Sequence, residues 1–351
     1  MGALGQPGDP DTGGVTGTIV RADNRRVPTL SVPLPRAARP LLKWAGGKRQ
    51  LLPLLRRHYP GRFDRYIEPF FGSGAVYFDL YGQGQLDGRK AWLLDDNPDL
   101  LGCYGTLRDH TEQVIAALGV LAEEHRARGN DLYYEVRDGR FNPSRAAGGA
   151  YTPELAAMLI YLNRTGFNGL FRLNRRGAFN VPIGRYDNPR ICDPQHLRDV
   201  AVALGTRGVR LERGSFEVPL EDARRGDFVY CDPPYAPLTR TARFAQYTSA
   251  GFGAQDQERL QRAILGAAGR GAVVVLSNSS APEVEDLYGG VEARQAGLVL
   301  RRVPARRSIN SRAALRGPVN EILVTNAPAG FVDLPRPRPV AARLRSNVKT
   351  A

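Results

Sequence analysis

Three short runs of this chain are apolar almost throughout, and each stops abruptly at an acid followed by a proline-containing turn. Tyr66-Ile67 leads into Glu68-Pro69-Phe70, Ala91-Trp92-Leu93-Leu94 into Asp95-Asp96-Asn97-Pro98, and Phe228-Val229-Tyr230-Cys231 into Asp232-Pro233-Pro234-Tyr235. A short run without polar alternation reads as a strand covered on both faces, as in the interior of a parallel sheet. Helical spacing fills the intervals. A helix opens at Ala75-Val76-Tyr77-Phe78, another extends from Leu100 to about His125, a third covers Leu155 to Leu162, and a fourth spans Gln255 to Ala268. A further strand follows from Ala272 to Leu276, and Val299 to Val324 reads as a closing strand pair across an Arg-rich loop. Strands alternating with helices specify an α/β fold on a parallel sheet.

With 351 residues the chain can form one large domain or two modest ones around a full hydrophobic core. Cys103, Cys192 and Cys231 are an odd set without paired spacing, which argues against a disulfide framework or a cysteine-held zinc and for a reducing compartment. The four histidines (His58, His110, His125, His196) are too scattered for a metal site, so no metal is expected. The longest apolar run, Leu155 to Leu162, is far below the ~20 residues of a membrane span, and the opening MGALGQPGDPD lacks a signal-peptide pattern. Residues 1–40 read as a flexible extension and 328–351 as a disordered basic tail.

Charge narrows the partner. Lys and Arg total 49 against 35 acids, a net charge of +14, and the only lysines are Lys43, Lys48, Lys90 and Lys349, which leaves 45 arginines. Arginine grips phosphates bidentately and stacks on bases, so a polyanion is the expected partner. Two blocks concentrate the excess. From Arg164 to Arg190 six arginines face one acid, Asp187, and are interleaved with Phe167, Phe171, Phe179 and Tyr186. From Arg301 to Arg316 there are six arginines and no acid. Phosphate contacts from the second block would raise affinity without specifying sequence.

The turn Phe71-Gly72-Ser73-Gly74 joins a strand to a helix, and its glycines let backbone approach a ligand closely. Asp95 ends the next strand at the distance where nucleotide-binding α/β folds place a ribose-binding acid. Asp95 could instead simply cap the helix that follows. The fingerprint lacks the third glycine of the dinucleotide form, so a donor without a pyrophosphate, S-adenosyl-L-methionine, fits better than NAD.

Asp232-Pro233-Pro234-Tyr235 is the sharpest signal. Successive prolines fix φ and remove N–H donors, leaving a stiff loop of carbonyls beside an acid and an aromatic ring. An exocyclic amino group has two N–H donors. Asp232 can accept one and the Pro233 carbonyl the other, which concentrates the nitrogen lone pair for attack on an electrophilic methyl. Tyr235 can stack on the ring. Cys231 reads as a small buried residue, and Ser277-Asn278-Ser279-Ser280 as either structural or ligand-binding.

Across about Leu41 to Val324 these motifs resemble the Dam-type DNA adenine-N6 methyltransferases, in the arrangement with donor motif first, target recognition in the middle and catalytic tetrapeptide last. Leu42-Lys43-Trp44-Ala45-Gly46-Gly47-Lys48 is similar to the family's opening motif, Glu68 to Gly74 to its donor turn, and Asp95 with Asn97 to its ribose acid. Tyr161 to Gly169 is similar to its recognition entry, and Arg306-Arg307-Ser308-Ile309-Asn310-Ser311 to its late basic hairpin. The resemblance implies a Rossmann-like methyltransferase core with a mainly helical recognition insert. The implied division is a donor-binding part at 41–115, a recognition region at 116–205, and the remaining core with the basic hairpin at 206–327.

By the same resemblance Trp44, Lys48, Glu68, Phe71, Gly72, Gly74, Asp95, Ser215, Phe216 and Asp232 would bind the donor, and Asp232, Pro233, Pro234 and Tyr235 would hold a flipped adenine. Some relatives carry Asp where Ser215 stands. Lys43, Asn168, Leu170, Arg172, Asn180, Pro182, Arg306, Arg307 and Asn310 would touch double-stranded DNA. Members that read GATC share the equivalents of Lys43, Leu170, Arg172 and Pro182, which makes GATC the expected target. The alternatives are methylation of cytosine N4, RNA or a protein glutamine, or a catalytically silent DNA-binding protein. Asp rather than Ser or Asn at 232 favours adenine. A bacterial or phage-encoded cytoplasmic enzyme, free of metal and membrane and monomeric by default, is the expectation.

Overall fold

The computed structural model describes residues 38–44, 46–235, 252–306 and 318–327. Seven strands form one sheet: β1 (Arg65–Glu68), β2 (Lys90–Asp95), β3 (Val209–Arg213), β4 (Asp227–Cys231), β5 (Val273–Ser279), β6 (Val299–Arg306) and β7 (Pro318–Thr325), in the order β3-β2-β1-β4-β5-β7-β6. β1 to β5 are parallel, and β7 runs antiparallel between β5 and β6. Strand order reverses direction between β1 and β4, the switch point at which α/β sheets open a crevice beyond their strand ends.

Side chains alternate across the sheet and make two cores. Tyr66, Leu93, Phe228, Tyr230, Val275 and Leu323 face one way. They meet α1 (Ala75–Gly82), α2 (Pro98–Asp109), α3 (Thr111–Arg128), α4 (Pro153–Thr165) and α5 (Pro194–Leu204). Ile67, Trp92, Val229, Cys231, Val274 and Ile322 face the other way, onto α6 (Glu217–Asp222), α7 (Ala254–Gly269) and α8 (Pro282–Gly289). Three helices start on a capping side chain followed by proline at the first helical position: Asn97-Pro98, Thr152-Pro153 and Asp193-Pro194.

The expected strands are all present, and the expected pair at Val299 to Val324 is antiparallel. Two expectations change. The helical stretch from Leu100 to His125 is two helices, α2 and α3, broken at His110 (φ −133°, ψ 42°). α3 also runs through the expected boundary at 115/116. β3 has no counterpart in the sequence reading, because Val-Arg-Leu-Glu-Arg is an edge strand whose polar residues hide the apolar signal. All three cysteines are free, with Cys103 and Cys231 buried. Residues 1–37 of the expected 1–40 extension and the tail from 328 lie outside the described residues, whereas Ala38, inside that expected extension, is buried in the core.

Candidate active site

The turn after β1 is built on left-handed backbone, with φ 48° at Gly72 and 67° at Gly74. A Cβ on Gly74 would stand 2.5 Å from the Phe71 ring, so the position admits glycine alone. The Gly72 N–H donates to Asp95 Oδ2 at 2.8 Å and the Asn97 N–H to Asp95 Oδ1 at 2.9 Å. Asn97, rather than Asp95, caps α2: its Oδ1 accepts from Asp99 and Leu100, each at 3.0 Å. The Asp95 carboxylate is therefore held by the glycine turn, and burial pushes it above the ordinary carboxylate range against the pull of the Asn97 and Gly72 N–H groups. Glu68 is buried, accepts from Tyr66 OH at 2.8 Å, and is pushed well up, first by burial and further by the Asp232 and Asp95 charges.

Beyond β4, the ammonium of Lys48 lies 2.7 Å from Asp232 Oδ1 and 4.5 Å from the centre of the Tyr235 ring, and donates to Gly46 O at 2.7 Å. Ser277 Oγ donates to the same Oδ1 at 3.1 Å and is itself braced by Tyr230 OH at 3.0 Å. Asp232 Oδ2 and the Pro233 carbonyl have no partner among the described residues, whereas the Pro234 carbonyl accepts from Gln257 Nε2 at 3.1 Å. Gln257 is held in turn by Asn278 Nδ2 at 3.0 Å. Burial raises the Asp232 carboxyl, and Lys48 and Ser277 pull it back. Tyr235 OH donates to Glu321 Oε2 on β7 at 2.8 Å.

Phe216 stacks on Phe70 (5.3 Å between centroids, 26°) and both meet Phe252. Ser215 is exposed, and among the described residues its hydroxyl bonds Glu217 alone while its carbonyl accepts from the Val218 N–H at 3.3 Å, both at the start of α6. Trp44 stacks on Phe171 at 5.4 Å and would touch a Cβ on Gly72 at 3.3 Å, which puts it between the turn and an element of the first of the two basic blocks.

That element is a small hairpin after α4. Asn180 N–H donates to Arg172 O at 3.1 Å and Asn174 N–H to Ala178 O at 2.8 Å. Arg172 Nε donates to Asn180 Oδ1 at 2.8 Å. Asn168 is the only non-glycine residue with positive φ (55°) among the described residues. Asn163 pins the Lys43 backbone beside the hairpin, accepting from its N–H at 2.9 Å and donating to its carbonyl at 2.8 Å. Lys43 Nζ then lies 4.5 Å over the Tyr186 ring. Leu170 is half-buried and Pro182 exposed. Arginines elsewhere pair with acids, as in Arg56–Asp79 and Arg65–Asp227, but Arg172, Arg175, Arg176 and Arg185 have no carboxylate partner among the described residues. The positive charge here is uncompensated. Arg306 ends β6, and Arg307 and Asn310 lie outside the described residues.

The sequence reading did not name Gln257, Glu321 or Phe252. Glu321 had a signal, being the only charge in the run Pro318 to Thr325. Gln257 had none, because a glutamine on an exposed-looking helix turn is ordinary.

A family model described as D12 class N6 adenine-specific DNA methyltransferase matches residues 44–298. The type II methyltransferase M1.LlaDCHI of Lactococcus lactis subsp. cremoris is 37% identical over 292 residues, covering 82% of this chain and 95% of that one. The type II methyltransferase M.MjaIII of Methanocaldococcus jannaschii is 37% identical over 298 residues, covering 82% and 99%. The DNA adenine methylase of Escherichia coli K12 is 33% identical over 293 residues, covering 83% and 96%.

Proposed function

Because the chain belongs to the D12 class of N6 adenine-specific DNA methyltransferases, its reaction is adenine-N6 methylation of DNA, and we propose which of its residues carry that reaction and on what target. The observation that carries the reading is the pair of acceptors left open beside the Tyr235 ring, Asp232 Oδ2 and Pro233 O, while Pro234 O is already taken. They match the two N–H donors of an adenine amino group.

The residues present fit a cationic methyl donor. The Asp232 and Asp95 charges both bear on Glu68, and Lys48 is paired to Asp232, so a positive ligand placed beside these acids would be favoured. S-adenosyl-L-methionine, when bound, supplies a methyl carbon made electrophilic by its positively charged sulfur. Gly72 and Gly74 would let backbone approach the donor, with Phe71 packing the turn. Asp95 would receive its diol, and Phe216 would cover its flat base. Trp44, Lys48 and Glu68 would close the pocket.

On the substrate side, Asp232 Oδ2 and Pro233 O accept the two N6 hydrogens of an adenine extruded from the duplex, which localises the lone pair on nitrogen. Tyr235, tethered by Glu321, stacks on the base. No strong base is needed, since the methylated amine can release its proton to solvent. Lys43, together with Asn168, Leu170, Arg172, Asn180 and Pro182 of the recognition region (116–205), would read GATC, with Arg306, Arg307 and Asn310 on phosphates. The bacterial and phage relatives support a cytoplasmic setting.

The test is to incubate the full chain with labelled donor and unmethylated DNA and to identify both the modified base and its sequence. N6-methyladenine within GATC is expected. N4-methylcytosine, RNA-only labelling or a different target would overturn the corresponding part.

A further inference from the structure

The hairpin that carries Arg172 and Asn180 is too small to hold its own shape. Its two strands share two backbone hydrogen bonds, Asn180 to Arg172 and Asn174 to Ala178, and an isolated two-stranded ribbon is marginal in water. Ala178 and Asn180 turn their backbone groups inward to that ladder and the Gly177 N–H closes the turn onto Asn174 O at 2.9 Å, so the Gly177 carbonyl, Phe179 and Val181 face outward along one open edge.

That edge is filled by side chains rather than by a third strand. They come from residues 133–145, whose centre, Glu135–Phe141, is π-helical. Asn142 donates from Nδ2 to Phe179 O at 3.0 Å and accepts at Oδ1 from Phe179 N–H at 2.8 Å, so its amide pairs with both backbone groups as a neighbouring strand would. Arg145 Nη1 donates to Gly177 O. Arg137 Nη1 and Tyr133 OH donate to Val181 O at 3.0 and 2.9 Å. Every second residue of the return strand is thus met in register. The bracket is itself anchored to the donor side: Arg145 Nε also bonds the carboxylate of Asp99 at 2.8 Å, a buried acid in the first turn of α2, next to the Asn97 cap.

We propose that Asn142, with Arg137 and Arg145, sets the sequence selectivity of methylation by fixing the register of a hairpin it never leaves, without contacting a base. Asn142 is a positioning residue. The inference rests on the reading that this hairpin meets DNA. A base contact discriminates only when its donors are aimed, so releasing Phe179 loosens Arg172, Asn180 and Pro182 together.

The experiment uses the full chain with unmethylated bacterial genomic DNA and S-adenosyl-L-methionine, mapping methylated adenines by sequencing so that no target is assumed. Asn142→Ala should lower the ratio of methylation at the preferred site to sites differing in one base pair by about tenfold, the low end of one well-aimed base contact. It should raise KM for DNA while leaving KM for the donor unchanged. Asn142→Gln, which keeps both amide groups, should recover part of the ratio. Arg137→Met leaves Tyr133 on Val181 O and should lower the ratio about twofold to fivefold, a fraction of one base contact, in a chain that still folds even if Asn142→Ala does not. Amide hydrogen exchange should quicken across 172–181 and not across α4.

Arg172→Ala separates the two ideas. If it leaves selectivity intact, the hairpin does not read DNA and the underlying reading fails. If it erases selectivity while folded Asn142→Ala and Arg137→Met both keep the wild-type ratio, the reading stands and the positioning role is overturned.

Discussion

Lys48 and Asp232 form an ion pair at 2.7 Å, and the same ammonium lies 4.5 Å from the centre of the Tyr235 ring. A cation thus rests on both groups that the proposed reading assigns to adenine, on Oδ1 of the acid and over the ring, while Oδ2 stays open.

The first prediction concerns pH. The acceptor form of Asp232 is the carboxylate, and burial raises its pKa while Lys48 and Ser277 oppose the rise. Activity is therefore full above that raised pKa and falls as pH drops through it. Lys48→Met removes the opposing cation and should move the acid limb of kcat/KM to higher pH, and Ser277→Ala should move it the same way by less. An acid limb unmoved in Lys48→Met would contradict the assignment.

Tyr235 separates ring from hydroxyl. Tyr235→Phe loses only the bond to Glu321 and should keep most of the transfer rate. Tyr235→Ala should weaken base capture by about 1–3 kcal/mol, the worth of an aromatic platform for one base. Fluorescence of 2-aminopurine at the target position reads capture directly. Equal losses in capture and in overall DNA affinity would argue against stacking.

Gly74→Ala should be more damaging than Gly88→Ala. Both sit at positive φ, 67° and 70°, but the Gly74 Cβ would stand 2.5 Å from Phe71 while that of Gly88 meets nothing within 4 Å. The backbone term, about 1–2 kcal/mol, is common to both. Overpacking adds roughly 1–3 kcal/mol at Gly74 alone. Thermal melts of the two variants give the difference, and donor affinity should drop only for Gly74→Ala.

His196 predicts acid sensitivity of the fold itself. It is buried, and burial, with help from Arg39 and Arg164, pushes its pKa from 6.5 to about 4. The unfolded chain binds the proton first, so stability is whole above pH 6.5 and drains away as pH falls toward 4, on the order of 3 kcal/mol for this residue. His196→Gln should flatten the melting temperature across that window. An unchanged slope would exclude the residue as the source.

The sheet and its site were legible wherever one physical demand dominated. Apolar strands ending in Glu68, Asp95 and Asp232 announce themselves because burial on both faces leaves no room for alternation. The glycine turn is equally plain, since Gly74 has no substitute. What stayed hidden depends on partners distant in the chain. Whether Asp95 capped a helix or met the turn depended on the Gly72 and Asn97 N–H groups, which take one carboxylate oxygen each. The support of Asp232 by Ser277 crosses 45 positions, and that of Tyr235 by Glu321 crosses 86. The break at His110 and the polar edge strand β3 escaped because local periodicity there carries two elements or none.

Among the described residues β7 is the last strand in sequence, yet it lies inside the sheet, with β5 on one side and β6 on the other. Until β7 has been synthesised, β6 has no strand to pair with in the sheet, and the corner at Tyr235 lacks Glu321. The tether on Tyr235 is therefore added only after Glu321 has been made, and a stop codon before residue 318 leaves a product without β7 and without that tether.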